Sequence, residues 1–110
     1  MAYDKALERR IDRLTARWLV DKKAMFGGMA YMYRAAEGDK PALAVAIMGD
    51  GVLFKVAPEQ RQKWLEQPGV HEATMGVRTM RNWLHADSQA IATDEALAEA
   101  IETGRDSVLK

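Results

Sequence analysis

A chain of 110 residues, 48% apolar and 29% charged, has the size and composition of one globular domain, expected to span residues 1–110 and able to bury roughly two-thirds of its unfolded surface. Sixteen basic and sixteen acidic side chains cancel to a formal charge of zero, so no global field favours nucleic acid or a membrane surface. The absence of cysteine excludes disulfides, thiol catalysis and cysteine-ligated zinc. With a charged N-terminus lacking a signal core and no run of 18 apolar residues, the expected compartment is cytoplasmic, with no membrane partner.

Tyr3 to Leu19 carries the period of an amphipathic helix, with Leu7, Ile11, Leu14 and Trp18 at i, i+4, i+7 and i+11. Burying those four is worth roughly 1.5–3 kcal/mol each, enough to dock the helix on a sheet. Arg10, Arg13 and Arg17 flank one side of the stripe, Glu8 and Asp12 the other. Residues 1–34 hold eight basic and four acidic side chains, the remainder eight and twelve. The two parts therefore stand at +4 and −4, with the imbalance concentrated in the terminal helices.

Ala24 to Arg34 reads as a first strand, apolar on much of both faces and interrupted by Gly27-Gly28. A second strand, Ala42 to Met48, places Leu43, Val45 and Ile47 on one face; a third spans Val52 to Val56, with Leu53 and Lys55 facing opposite to Phe54. Glu37-Gly38-Asp39 and Gly49-Asp50-Gly51 supply the turns, and Asp-Gly between apolar runs is a strong hairpin signal. Pro58 suits the first turn of a second helix, with Trp64 and Leu65 inward and Pro68-Gly69 stopping it after Gln67. Short strands at His71–Met75 and Thr79–Ala86 follow, around Gly76. Thr93 caps a last helix with Asp94 and Glu95 in its first turn and Leu97, Ile101 and Val108 inward. Gly104 costs that helix about 1 kcal/mol against Ala unless close packing needs it. The order α-β-β-β-α-β-β-α predicts a two-layer α+β fold, a mostly antiparallel five-stranded sheet with helices packed on it.

Several stretches together resemble the TfoX/Sxy N-terminal-domain family over nearly the whole chain: Lys23-Ala24-Met25-Phe26-Gly27-Gly28, the hairpin Met48-Gly49-Asp50-Gly51-Val52-Leu53-Phe54-Lys55-Val56, Pro68-Gly69, Met80-Arg81-Asn82-Trp83 and Ala92-Thr93-Asp94-Glu95. The resemblance implies a two-layer, secretion-chaperone-like fold, a role linked to transcriptional or competence regulation, and no enzyme activity. Full-length TfoX-like regulators carry a second, helical domain. This chain stops at Lys110, just after its third helix, so the expectation is a stand-alone N-terminal domain.

No residues form a recognisable catalytic constellation. Gly27-Gly28 lacks the strand-to-helix transition and the Lys-Ser/Thr of a phosphate loop, so a β-bulge, or close packing of the first helix over the glycines, explains them more simply. Met25, Met29, Met32, Met48, Met75 and Met80 fill a core or an adaptable surface. If all helices pack on one sheet face, the other stays apolar and bare, which usually marks association. On the first strand Met25, Met29, Tyr31 and Tyr33 share one face, and Phe26, Ala30 and Met32 the other. The predicted interaction surface is Met25, Met29, Tyr31 and Tyr33, with Arg81 and Trp83 as an anchor pair, covered by a homodimer mate or another protein. His85 and Asp87 share a strand face, but no third ligand is recognisable, so neither metal nor cofactor is expected. Ser88 and Ser107 have no base pattern beside them. Arg10, Arg13 and Arg17 either contact nucleic-acid phosphates or pair with the acidic last helix (Glu95, Glu99, Glu102, Asp106). The expected function is thus a non-catalytic regulatory or protein-interaction domain. The alternatives are a nucleic-acid-associating module, or a small-molecule pocket between sheet and helices near Phe26, Trp64 and Trp83.

Overall fold

The computed structural model describes residues 3–25, 27–75 and 77–109. Phe26 and Gly76, both weighed from the sequence, lie outside the described residues, as does the side chain of Met75. The elements are α1 (Lys5–Leu14), β1 (Leu19–Met25), β2 (Gly28–Arg34), β3 (Ala42–Met48), β4 (Gly51–Lys55), α2 (Pro58–Leu65), β5 (Val70–Met75), β6 (Arg78–Ala86) and α3 (Asp94–Leu109). They build an α+β fold around one antiparallel sheet of order β1-β2-β3-β4-β6-β5. The sheet has six strands rather than the five expected: Leu19–Met25, most of which lies ahead of the predicted first strand, forms a strand of its own and hairpins onto Gly28–Arg34.

The N-terminal helix is shorter than its apolar period suggested. Asp4 caps it, accepting from the backbone N–H of Ala6 at 2.9 Å and of Leu7 at 3.3 Å. It closes on Thr15, whose N–H donates to the Ile11 carbonyl. Leu7 and Ile11 are buried under it, whereas Trp18 packs from beyond the helix, edge-on against Tyr33 at 6.0 Å. The chain then turns into β1, where Lys22 reaches back to Glu8 at 2.6 Å and Asp12 at 3.0 Å.

Pairing along the β1–β2 hairpin runs from Leu19↔Arg34 to Met25↔Gly28, and Gly27 follows the left-handed path of a turn at φ 75°. Gly28 has a different reason to be glycine: a Cβ there would run into the backbone carbonyl of Ile47 on β3. The glycines thus make a turn and a close strand approach, not a bulge within one strand and not a seat for α1. A true irregularity lies further on, between Tyr31 and Met32 opposite β3. Tyr31 pairs with Val45 but Met32 with Leu43, so Ala44 is the extra residue and Leu43 turns to the face opposite Val45 and Ile47.

All three helices pack on the face presented by Tyr31, Val45, Ile47, Val52, Phe54 and Leu84, which form one core with Leu7, Ile11, Leu97 and Ile101. On α3, a Cβ at Gly104 would stand only 2.8 Å from the Ala44 carbonyl, so the helix lies on β3 as closely as glycine allows. Close packing therefore accounts for this unfavourable helix residue. Ser107 lies within α3, where its hydroxyl donates to the Thr103 carbonyl at 2.8 Å. Among the described residues, no helix is long and apolar enough to cross a membrane.

Candidate interaction surface

Directly opposed residues of an antiparallel pair share a face, so the register traces the second side of the sheet. Lys23↔Ala30, Ala30↔Ala46, Ala46↔Leu53, Leu53↔His85 and His85↔His71 form one continuous row across all six strands. Met32↔Leu43 and Lys55↔Trp83 lie beside that row on the same side. Here Ala30 and Ala46 are closed off by their taller neighbours, at 0% and 2% exposure. Met32, Leu43, Met48, Leu53, Met80 and Trp83 stay half-buried around them. A shallow depression of about 280 Å³ opens between Leu43, Ala46, Met48, Leu53, Met80 and Trp83, with Thr74 at its margin. The core contacts of the helices fall on the other side of the sheet, and the depression itself is lined by apolar side chains apart from Thr74.

An uncovered face was expected, but half of the six residues assigned to it sit elsewhere. Tyr31 and Tyr33 are wholly buried beneath the helices, and Met29 packs against the same core. The Tyr31 hydroxyl donates to Asp12 at 2.9 Å; burial, reinforced by that carboxylate, pushes its pKa well up. Burial does the same to Tyr33. Met25 does fall on the open side by register, at the end of β1 next to Lys23. Trp83 lines the depression, but Arg81 does not stack on it; the Arg81 carbonyl instead accepts from the Arg61 guanidinium at 3.1 Å. Met48, one of the methionines read as core or adaptable surface, lies here, and Leu43 and Leu53 belong to the surface without being singled out by the sequence. For Leu53 the signal was available, since it faces opposite to Phe54. For Leu43 it was not, because the bulge at Ala44 reverses its direction.

The remaining candidates are scattered. Trp64 lies on the helix side, 4.8 Å from the Phe54 ring, whereas Trp83 lies on the other side, so the two do not line a common pocket. The Gly49 carbonyl accepts from Asp4 N–H at 2.9 Å, which ties the Gly49-Asp50-Gly51 turn to the N-terminus. Gly69, at φ 85° after Pro68, offers its carbonyl to Asp87 N–H at 2.9 Å.

Helix charges answer one another across the α1–α3 seam. Arg10 binds Asp94 at 3.0 Å and the Ile91 carbonyl at 2.8 Å, Arg13 reaches Asp94 at 3.5 Å, and Arg17 reaches Glu102 at 3.2 Å. Arg10 holds the Asp94 carboxyl below the usual range. The stripe that could have met phosphates is matched internally by α3.

Near the β5 edge, Asp87 turns to His71, at 3.2 Å from its Nε2, rather than working with His85. That bond lowers the Asp87 pKa. No group of three metal-ligating side chains occurs among the described residues. His85 is pushed down mainly by burial and then by His71 beside it. Its neutral form is favoured by folding, so its contribution is fully present above the ordinary histidine value of about 6.5 and is lost as pH falls below that value and through the lowered value of the folded state. Urea midpoints at neutral and mildly acidic pH should therefore show a loss of stability on acidification that His85→Gln reduces. An unchanged pH dependence in that variant would remove His85 as its source.

Comparisons with protein-family models, with curated proteins and with solved structures find no match to this chain.

Proposed function

We propose that this chain is a non-catalytic protein-interaction domain that works through the helix-free face of its sheet. The observation that carries the reading is that face itself: half-buried Met32, Leu43, Met48, Leu53, Met80 and Trp83 surround a floor of Ala30 and Ala46. An apolar surface of this breadth is costly to leave in water, and in small domains it usually marks association. Methionine side chains suit such a surface because they repack against a partner at little cost. The resemblance to the TfoX N-terminal domain supports a regulatory setting linked to transcription, and the absence of cysteine is compatible with the cytoplasm. The internal pairing of Arg10, Arg13 and Arg17 favours protein contact over nucleic-acid contact.

Oxidative footprinting of methionines in the cells that make the protein tests this directly. Met32, Met48 and Met80 are expected to be protected in the cell and to react readily once the purified protein is diluted far below its working concentration. Full reactivity inside the cell would mean that the face has no occupant.

A further inference from the structure

We infer that the occupant of the open face is a second copy of this chain, seated sheet on sheet about a two-fold axis that runs along the strands between β3 and β4. This rests on the reading of that face as a docking surface and adds the partner and its orientation.

Area is the first argument. Six strands about 4.8 Å apart, with some seven residues rising about 3.3 Å each, make a face of roughly 650 Å². Two such faces in contact remove about 1,300 Å² from water, which reaches the 1,200–2,000 Å² of a stable interface. A single docked helix, about 10 Å across, would leave more than half of the face bare.

Self-complementarity is the second. The sheet order β1-β2-β3 | β4-β6-β5 has its midline between β3 and β4. A two-fold axis along that midline lays β3 over the partner's β4, β2 over β6 and β1 over β5. Along the continuous row, Ala46 then meets Leu53 of the other copy, and Ala30 meets its His85. Each small residue is covered by a large one, so the side chains interdigitate as two sheets about 10 Å apart require. Leu53 of one copy enters the depression floored by Ala46 in the other. Beside them Met32 meets Trp83, a favourable sulfur–aromatic contact.

Charge at the rim is the third. The exposed Lys23 on the β1 edge comes over the His71–Asp87 pair on the partner's β5 side, and the same contact repeats at the other end. An axis at right angles to the strands would instead set Lys23 against Lys23 and put Ala46 over Ala46.

Sedimentation of the purified chain from about 1 µM to about 500 µM should show dimers at the upper end, because association follows mass action. Leu53→Lys and Met32→Lys, each verified as folded by circular dichroism, should weaken the dimer by about 100-fold as central truncations of an interface do. Two variants guard against one failing to fold. The chain has no cysteine, so single-cysteine variants report only contacts between copies. A mixture of Lys23→Cys and His71→Cys should cross-link with a short bismaleimide, and Lys23→Cys alone should not. A monomer throughout, or a dimer unaffected by both lysine variants, would overturn the inference, and self-cross-linking of Lys23→Cys would overturn the axis. A monomer whose methionines are nonetheless shielded in the cell sinks the second copy while leaving the docking surface in place.

Discussion

Gly28→Ala is expected to cost about 3 kcal/mol, lowering the urea midpoint by about 2 M, while Gly27→Ala next to it costs only about 1 kcal/mol. The two glycines look interchangeable in sequence, but they answer different physical demands. Gly27 needs its left-handed φ of 75°, and a side chain there would stand in open space. Its penalty is backbone strain alone. Gly28 is buried in a strand, and its added methyl would strike the Ile47 carbonyl, a backbone atom already held in the ladder by pairing on both sides. Neither β2 nor β3 can yield without disturbing the core residues Tyr31, Val45 and Ile47 that they carry. Equal midpoints for the two variants would show that β2 and β3 do not approach this closely.

The same pair of glycines shows where the sequence was and was not legible. Signals confined to a few neighbouring residues read correctly. Gly49-Asp50 turned β3 into β4, Pro58 opened α2, and Thr93 capped α3, its hydroxyl accepting from Ala96 N–H at 3.1 Å. Features that depend on partners distant in the chain did not. Trp18 falls on the apolar stripe of α1 and so extends the helical pattern through Leu19, although its place is set by Tyr33 on β2. The bulge at Ala44 has no periodic signature, and a single extra residue sends Leu43 to the other side of the sheet. In sequence the basic flank of α1 can pair with α3, but Asp94 in the first turn of α3 reads only as a partner of the helix dipole. In the fold it is also the shared partner of Arg10 and Arg13.

The difference between the two sheet faces follows from the same accounting of partners. Large side chains at Tyr31, Tyr33 and Phe54 fill the space beneath three helices, whereas the opposite positions alternate Ala30 and Ala46 with Met and Leu. Small residues in the middle of an uncovered sheet add little burial of their own. They leave room for side chains that arrive from outside, which is why the open face is a candidate for docking rather than an unfinished core.

Phe54→Ala should produce the largest loss of stability from a single core truncation, about 4 kcal/mol, and the loss should be concentrated at α2. Phe54 is completely buried, and its ring meets Trp64 edge-on at 4.8 Å and 65°. The short α2 has few other attachments: none of its residues is fully buried, and its N-cap, Ala57, makes no side-chain bond. Arg61, bonded to the Arg81 carbonyl and to Glu72 at 2.9 Å, is a polar tether at the rim that cannot replace an apolar anchor. Removing the ring should leave Trp64 and Leu65 over a void, so amide exchange across residues 58–65 should accelerate more than in α3. Because Leu53 and Phe54 point to opposite sides of β4, the truncation should not weaken association through the open face while the sheet remains folded. A loss below about 1 kcal/mol, or exchange that rises equally in all helices, would mean that α2 is anchored by something other than the Phe54–Trp64 contact.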